Sequence, residues 1–277
     1  MLAPSQVHSY HEAGYLVIED FLKAEELSDI RAAYESRRVQ SALRSTSGGG
    51  PFFEITLLSG VFDRFARLPR LLEVISQLLG ESVELQHSKI PEKPILTDGQ
   101  PVQWHQDLPF VPHTSTDYLT AFFYLDPATS SNGSMVVIEG SHKLGALNHM
   151  DEEGSFVGEF RGRDPRELGP SVELLAPAGG ISLHHGLLLH SSPPNRSDSP
   201  RRTIAFGYRS ALARQLAGPN FRDTGLLVHG PVPTTIECQA VRWNQPLAGE
   251  LRRPRSRFAR GLGRIGVGKQ RSPYIQI

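Results

Sequence analysis

From Val83 onward the chain is written in short apolar segments separated by turn residues, and this rhythm constrains the fold more than any other feature. Val83 to Ile90, Val102 to Asp107, Tyr118 to Leu125, Ser134 to Glu139, Val172 to Leu175, Ile181 to His185, Leu187 to His190 and Thr203 to Ser210 each have strand length and strand composition. Pro91 to Pro101, Pro109 to Asp117, Asn132-Gly133 and Ser191 to Asp198 supply the punctuation. Short strands joined in this way argue for a sandwich or jelly roll rather than a parallel sheet. The content of 26 Gly and 21 Pro points the same way.

Residues 1–82 read differently. Ser5 to Ala13 has helical character and ends at Gly14, suited to a left-handed cap. Tyr15 to Ile18 is a short strand, Ala24 to Gln40 carries Leu27, Ile30 and Tyr34 on one helical stripe, and Leu68 to Leu79 is a second amphipathic helix stopped by Gly80. Ser45 to Pro51, with Gly48-Gly49-Gly50, is a loop. The expected organisation is a single domain: a helical support over 1–82, a β core over 83–210, and a C-terminal extension over 211–277 that serves as a lid or touches substrate.

Charge excludes some functions and leaves one question. The formal net charge is zero, so no global field draws in nucleic acid or an anionic membrane. No apolar run is long enough for a membrane span, and Met1 to Ser5 does not open a signal peptide. Cys238 is the one cysteine, so no internal disulfide can form, and a reducing, cytoplasmic setting is expected. Between Arg242 and Arg271 lie nine basic residues against one acidic residue, Glu250. Such a run reads first as a solvated tail and second as a segment that helps hold an anionic substrate or a partner subunit.

The chemistry concentrates in Gln103-Trp104-His105-Gln106-Asp107. His105 and Asp107 are two apart, so on a strand both would face one side, with Trp104 and Leu108 on the other. His-x-Asp alone is weak evidence. A third ligand must come from His184, His185 or His190. His190 is favoured, because the polar turn after it brings the strand Thr203 to Ser210 back alongside, with Arg201 at its start. Two imidazoles and a carboxylate suit Fe(II) and leave three positions open, and an arginine there can grip a distal carboxylate in bidentate fashion. His184 reads as structural, and His185 as structural or as a support for a metal ligand. His87, His113, His142, His149 and His229 read as surface or hydrogen-bonded residues, and His8 and His11 as members of the first helix.

These segments carry a family resemblance. Gln103-Trp104-His105-Gln106-Asp107 with Pro112 and Asp117, Asn132-Gly133 through Gly140-Ser141-His142-Lys143, and His185-Gly186-Leu187-Leu188-Leu189-His190-Ser191-Ser192 through Asn195 and Ser197 to Arg201 resemble the phytanoyl-CoA dioxygenase family. So do Gly14 to Ile18 and Phe21-Leu22, and the resemblance covers roughly residues 8 to 210. It implies a mainly β fold with flanking helices, a double-stranded β-helix (cupin-like jelly roll), working with Fe(II), 2-oxoglutarate and O2. By position it makes His105, Asp107 and His190 the metal ligands, and places Arg201, assisted by Ser192, on the distal carboxylate of 2-oxoglutarate. It also suggests Lys89 and Phe123 as co-substrate contacts. Asp107, where related halogenases have Ala or Gly, favours hydroxylation of a small or medium-sized organic molecule, with release of succinate and CO2. Gly179-Gly180 departs from the family's Gly-Asp, and His184 stands where Phe is common. A zinc-type hydrolase, which accepts the same ligand set, and a catalytically silent jelly-roll module remain open.

Overall fold

The computed structural model describes residues 1–45, 52–91, 101–216 and 225–243. All but the first residue of the loop expected over Ser45 to Pro51, most of the one over Pro91 to Pro101, and nearly all of the basic stretch beyond Arg242 lie outside them.

Five helices and eleven strands build the described part. The helices are α1 (Pro4–Ala13), α2 (Ala24–Glu35), α3 (Arg37–Ser45), α4 (Gly60–Ala66) and α5 (Pro69–Leu79). The strands are β1 (Tyr15–Ile18), β2 (Phe52–Phe53), β3 (Val83–Ile90), β4 (Val102–His105), β5 (Tyr118–Tyr124), β6 (Met135–Ile138), β7 (Ser171–Leu174), β8 (Ile181–His185), β9 (His190–Ser192), β10 (Thr203–Ser210) and β11 (Leu226–His229). The larger sheet has the order β1-β8-β5-β10-β3-β11, with β2 also on β3, and the smaller one β4-β9-β6-β7. All pairs are antiparallel. Two facing antiparallel sheets with crossing connections are the jelly roll that the strand rhythm anticipates.

The helices cover the outer face of the larger sheet. Helix α5 starts at Pro69, where a missing N–H costs nothing, and buries Leu71, Leu72, Val74, Ile75, Leu78 and Leu79. Each such side chain contributes roughly 1.5–3 kcal/mol of burial, which fastens the helix to the sheet. Leu119, Ala121 and Phe123 of β5, Leu183 of β8 and Phe206 of β10 complete this core. A second core between the sheets holds Phe122, Tyr124, Val137, Leu188 and Ala205. The division follows the two-residue period of the strands: odd and even positions of β5 face opposite cores.

Three elements differ from expectation. The helix foreseen over Ala24 to Gln40 breaks at Ser36, whose backbone is extended (ψ 145°) and whose hydroxyl accepts from Val39 N at 3.4 Å. One serine thus ends α2 and caps α3. The strand foreseen over Leu187 to His190 is instead a turn, and His190 opens β9. Gly186 explains the turn, since a Cβ there would meet Tyr118 Cδ1 at 2.5 Å. Leu187 and Leu188 then diverge into separate clusters, so the apolar run reflects two cores rather than one strand face. Finally, part of the C-terminal extension is structural: β11 pairs with β3, Gln239 Oε1 accepts from Thr116 N and Oγ1 at 2.9 Å, and Trp243 Nε1 donates to His113 O at 3.2 Å.

Candidate metal centre

His105 and His190 are cross-strand partners in the β4–β9 ladder. Antiparallel partners project to the same face, and their rings lie 4.2 Å apart, centroid to centroid. In each, Nδ1 donates to the carbonyl two residues back, to Gln103 O at 2.8 Å and Leu188 O at 2.9 Å. A carbonyl only accepts, so both Nδ1 atoms carry the hydrogen and both Nε2 atoms present a lone pair.

Asp107 faces them by a different route from the one the sequence suggests. It is not on β4, which ends at His105, but has helical dihedrals (φ −71°, ψ −42°) at the head of a 3₁₀ turn over Leu108–Phe110. The turn swings its carboxylate back over the two imidazoles. Trp104 is half-buried rather than a core residue, and the buried neighbour is Leu108. Asp107 Oδ1 lies 3.8 Å from His105 Nε2 and 3.9 Å from His190 Nε2. The candidate ligand atoms of the three residues all lie within 4.8 Å of one another.

The other carboxylate oxygen is occupied. Oδ2 accepts from Thr120 Oγ1 at 2.8 Å and from His184 Nε2 at 3.1 Å. Burial opposes ionisation of Asp107, but the Lys89 ammonium, the hydrogen bond from His184 and the nearby imidazoles hold its pKa well below the ordinary value. Burial lowers the pKa of His105 and pushes that of His190 well down, opposed in part by the Asp107 charge. Two neutral imidazoles and one carboxylate are the forms a divalent metal needs.

Gln106, between two of these residues, is fully buried. Its amide donates to Gly145 O at 2.9 Å and Leu187 O at 2.7 Å and accepts from Leu147 N at 2.8 Å. It therefore ties the His105–Asp107 turn to the turn that precedes His190. Its own N–H donates to His149 Nε2 at 3.1 Å.

Arg201 sits just before β10, in the segment that crosses from one sheet to the other. The β9 and β10 strands are therefore not neighbours, as the sequence suggests, but lie in different sheets. The guanidinium still reaches Ser192 Oγ, at 3.5 Å. It is 4% exposed, and its Nε has no hydrogen-bond partner among the described residues. Ser192 Oγ itself donates to Gly133 O at 2.7 Å. A buried guanidinium with no carboxylate partner among the described residues is costly, and an anion beside it would relieve that cost.

Lys89, on β3, reaches the centre: Nζ is 3.7 Å from Asp107 Oδ1. Phe123 does not. Strand alternation turns it into the helix-side core, with rings of Phe206, Phe21 and Phe65 at 5.5, 5.9 and 6.3 Å. The neighbouring Phe122 holds the inward position, 5.5 Å from the His184 ring. Three contributors lie outside the site expected from the sequence: Thr120, Gln106 and His184, the last read there as structural. Thr120 and His184 were detectable as polar residues inside the apolar strands β5 and β8, on their inward faces.

The phytanoyl-CoA dioxygenase family model matches residues 10–203, most of the chain. The chain belongs to the phytanoyl-CoA dioxygenase family. Among curated relatives, a probable alpha-ketoglutarate-dependent hypophosphite dioxygenase of Stutzerimonas stutzeri is 33% identical over 251 residues, covering 81% of this chain and 85% of that protein. An ectoine dioxygenase of Bordetella bronchiseptica is 27% identical over 240 residues, covering 76% of each. The crystal structure of EctD from S. alaskensis with bound Fe superposes with a TM-score of 0.69 at 24% identity, covering 86% of this chain and 87% of that one, a likeness that establishes the cupin-like jelly roll. This phytanoyl-CoA dioxygenase family member is a 2-oxoglutarate-dependent dioxygenase that uses Fe(II) and O2 and acts on a small molecule. The relatives favour this reading over a zinc hydrolase or a silent module.

Proposed function

We propose that His105, Asp107 and His190 hold Fe(II) within one oxygenase domain, that Arg201 with Ser192 holds the distal carboxylate of 2-oxoglutarate, and that the substrate is a small anion. The observation that carries the site assignment is the lone-pair geometry: two Nε2 atoms and one Oδ1 converge, while each ligand's other polar atom is tied to the protein.

Bound iron and 2-oxoglutarate supply the oxidising chemistry, in which O2 is consumed, succinate and CO2 leave, and one oxygen atom goes to the substrate. The protein's share is placement and charge. The backbone carbonyls of Gln103 and Leu188 fix the tautomer and ring plane of the two histidines. Arg201 offers planar N–H donors from a buried position, which suits a carboxylate in two-point contact. Lys89, with Nζ 3.7 Å from Asp107 Oδ1, adds a positive charge beside that carboxylate. Leu108 and Leu187, both buried, help close the neighbourhood of Asp107 to water.

Charge counting supports the anionic substrate. Iron, Arg201 and Lys89 together exceed the charge of Asp107 and a doubly ionised 2-oxoglutarate by one. A buried excess charge calls for a counter-ion. The basic run between Arg242 and Arg271 and the hypophosphite named for the Stutzerimonas stutzeri relative favour the same choice. Among the described residues no helix is long and apolar enough to cross a membrane. With the exposed free thiol of Cys238, a reducing cytoplasmic setting is the one we propose.

Succinate release under air, with Fe(II) and 2-oxoglutarate, across a panel of small oxyanions and neutral analogues of similar size tests this. Turnover of anions over neutral analogues is expected. Preference for neutral compounds would remove the anion reading while leaving the metal assignment intact.

A further inference from the structure

His184 stands on β8 where the family resemblance leads one to expect phenylalanine, and its environment makes that exchange informative. The side chain is fully buried. It lies 5.5 Å from the Phe122 ring and 4.7 Å from the His190 ring. Its Nε2 meets Asp107 Oδ2 at 3.1 Å. An ionised carboxylate only accepts, so Nε2 carries the hydrogen and Nδ1 is left a bare acceptor. That Nδ1 is buried and has no hydrogen-bond partner among the described residues. A phenylalanine would fill the same space without stranding an acceptor in the core. The imidazole is therefore retained at a cost, and its one hydrogen bond is to Asp107.

We infer that His184 is a positioning residue for the metal centre: together with Thr120 it takes up Asp107 Oδ2 and so presents Oδ1 as the single metal-facing oxygen. Two donors on one oxygen fix both the rotation and the tilt of the carboxylate, whereas Thr120 alone leaves it free to swing about the Thr120 contact. A carboxylate so held binds through one atom and keeps three positions open for 2-oxoglutarate and O2, whereas a freed one can close on the metal with both oxygens. Partners of this kind typically change metal affinity by ~10–100-fold. The inference rests on the assignment of Asp107 as a metal ligand.

The test is a titration of the metal-free protein with Mn(II), followed by electron paramagnetic resonance, in the parent and in Asp107→Ala, His184→Phe, His184→Gln and His184→Asn. Thermal melts of the metal-free proteins run alongside. Glutamine can place an amide N–H where Nε2 sits, while asparagine is too short. Expected are a loss of Mn(II) affinity of ~10-fold or more in His184→Phe and His184→Asn, and affinity within about threefold of the parent in His184→Gln, with a signal that changes shape only in the first two. Should His184→Phe fail to fold, the glutamine–asparagine pair decides alone. Parent-like affinity and signal in His184→Asn, or in a folded His184→Phe, overturns the inference. Parent-like affinity in Asp107→Ala overturns instead the ligand assignment beneath it.

Discussion

His105 and His190, distant in sequence, face each other directly across two antiparallel strands, and their Nε2 atoms stand 3.8 and 3.9 Å from the same oxygen of Asp107. Strand register therefore assembles two of the three proposed ligands. A slip of one residue between β4 and β9 would turn one imidazole to the opposite face.

Replacing His190 with alanine removes one of the two proposed imidazole ligands. Metal-dependent succinate release is expected to fall by at least ~100-fold, since ligand loss exceeds the usual effect of a supporting contact. The fold is expected to persist, because the neighbouring β6 and β7 hold the smaller sheet. Turnover together with a far-ultraviolet spectrum checks both halves of the expectation.

Arg201 carries opposite consequences for binding and stability. In Arg201→Met the KM for 2-oxoglutarate is expected to rise steeply, because truncating one partner of a buried charge pair costs ~2–5 kcal/mol, about 30-fold or more. The same protein without co-substrate is expected to melt no lower than the parent, since a buried guanidinium lacking a carboxylate is a burden. Arg201→Lys is expected to restore little, as an ammonium cannot make the two-point contact. Steady-state kinetics in 2-oxoglutarate and melts with and without it separate these effects.

Gln106 holds two turns together through three hydrogen bonds. Gln106→Met keeps the volume but strands Gly145 O, Leu187 O and Leu147 N. A loss of about 2–4 kcal/mol in unfolding free energy is expected, from the penalty for unsatisfied buried groups. Metal affinity is expected to fall with it, as the turns bearing Asp107 and His190 lose their tie. Urea denaturation and metal titration measure the two.

Acid is expected to destabilise the metal-free protein early. Burial, with the Lys89 charge, lowers His87 to about 3, and burial lowers His149 to about 4, against an ordinary value of 6.5. Between those limits the unfolded chain binds protons that the native protein refuses, so stability rises with pH and is lost as pH falls below 6.5. Each group removes about 1.4 kcal/mol per pH unit across its window. Unfolding free energy measured by urea at pH 7, 6 and 5 should drop progressively. His149→Gln should shallow the slope, and a flat profile in the parent would contradict the burial of these imidazoles.

Much of this was readable in the chain. The strand limits of β3, β8 and β10 follow from apolar composition and turn residues, and the three side chains singled out as His-x-Asp with His190 do converge, as the proposed ligand set requires. What was misread has a common cause: strand periodicity was extended past the point where the chain turns. Asp107 reaches the site from a 3₁₀ turn, Leu187 and Leu188 serve different cores, and Phe123 lies one residue out of phase with the inward face of β5. The partners of Asp107 were hidden for another reason. Thr120 and His184 come from β5 and β8, and only the pairing of those strands (Thr120 opposite His184) brings them to one oxygen.

The most direct test of the account is a crystal structure grown without oxygen in the presence of Fe(II) and 2-oxoglutarate. The account predicts iron bound by Nε2 of His105, Oδ1 of Asp107 and Nε2 of His190, with the distal carboxylate on Arg201 and the other Asp107 oxygen still on Thr120 and His184. Iron bound elsewhere, or 2-oxoglutarate lying away from Arg201, would contradict it.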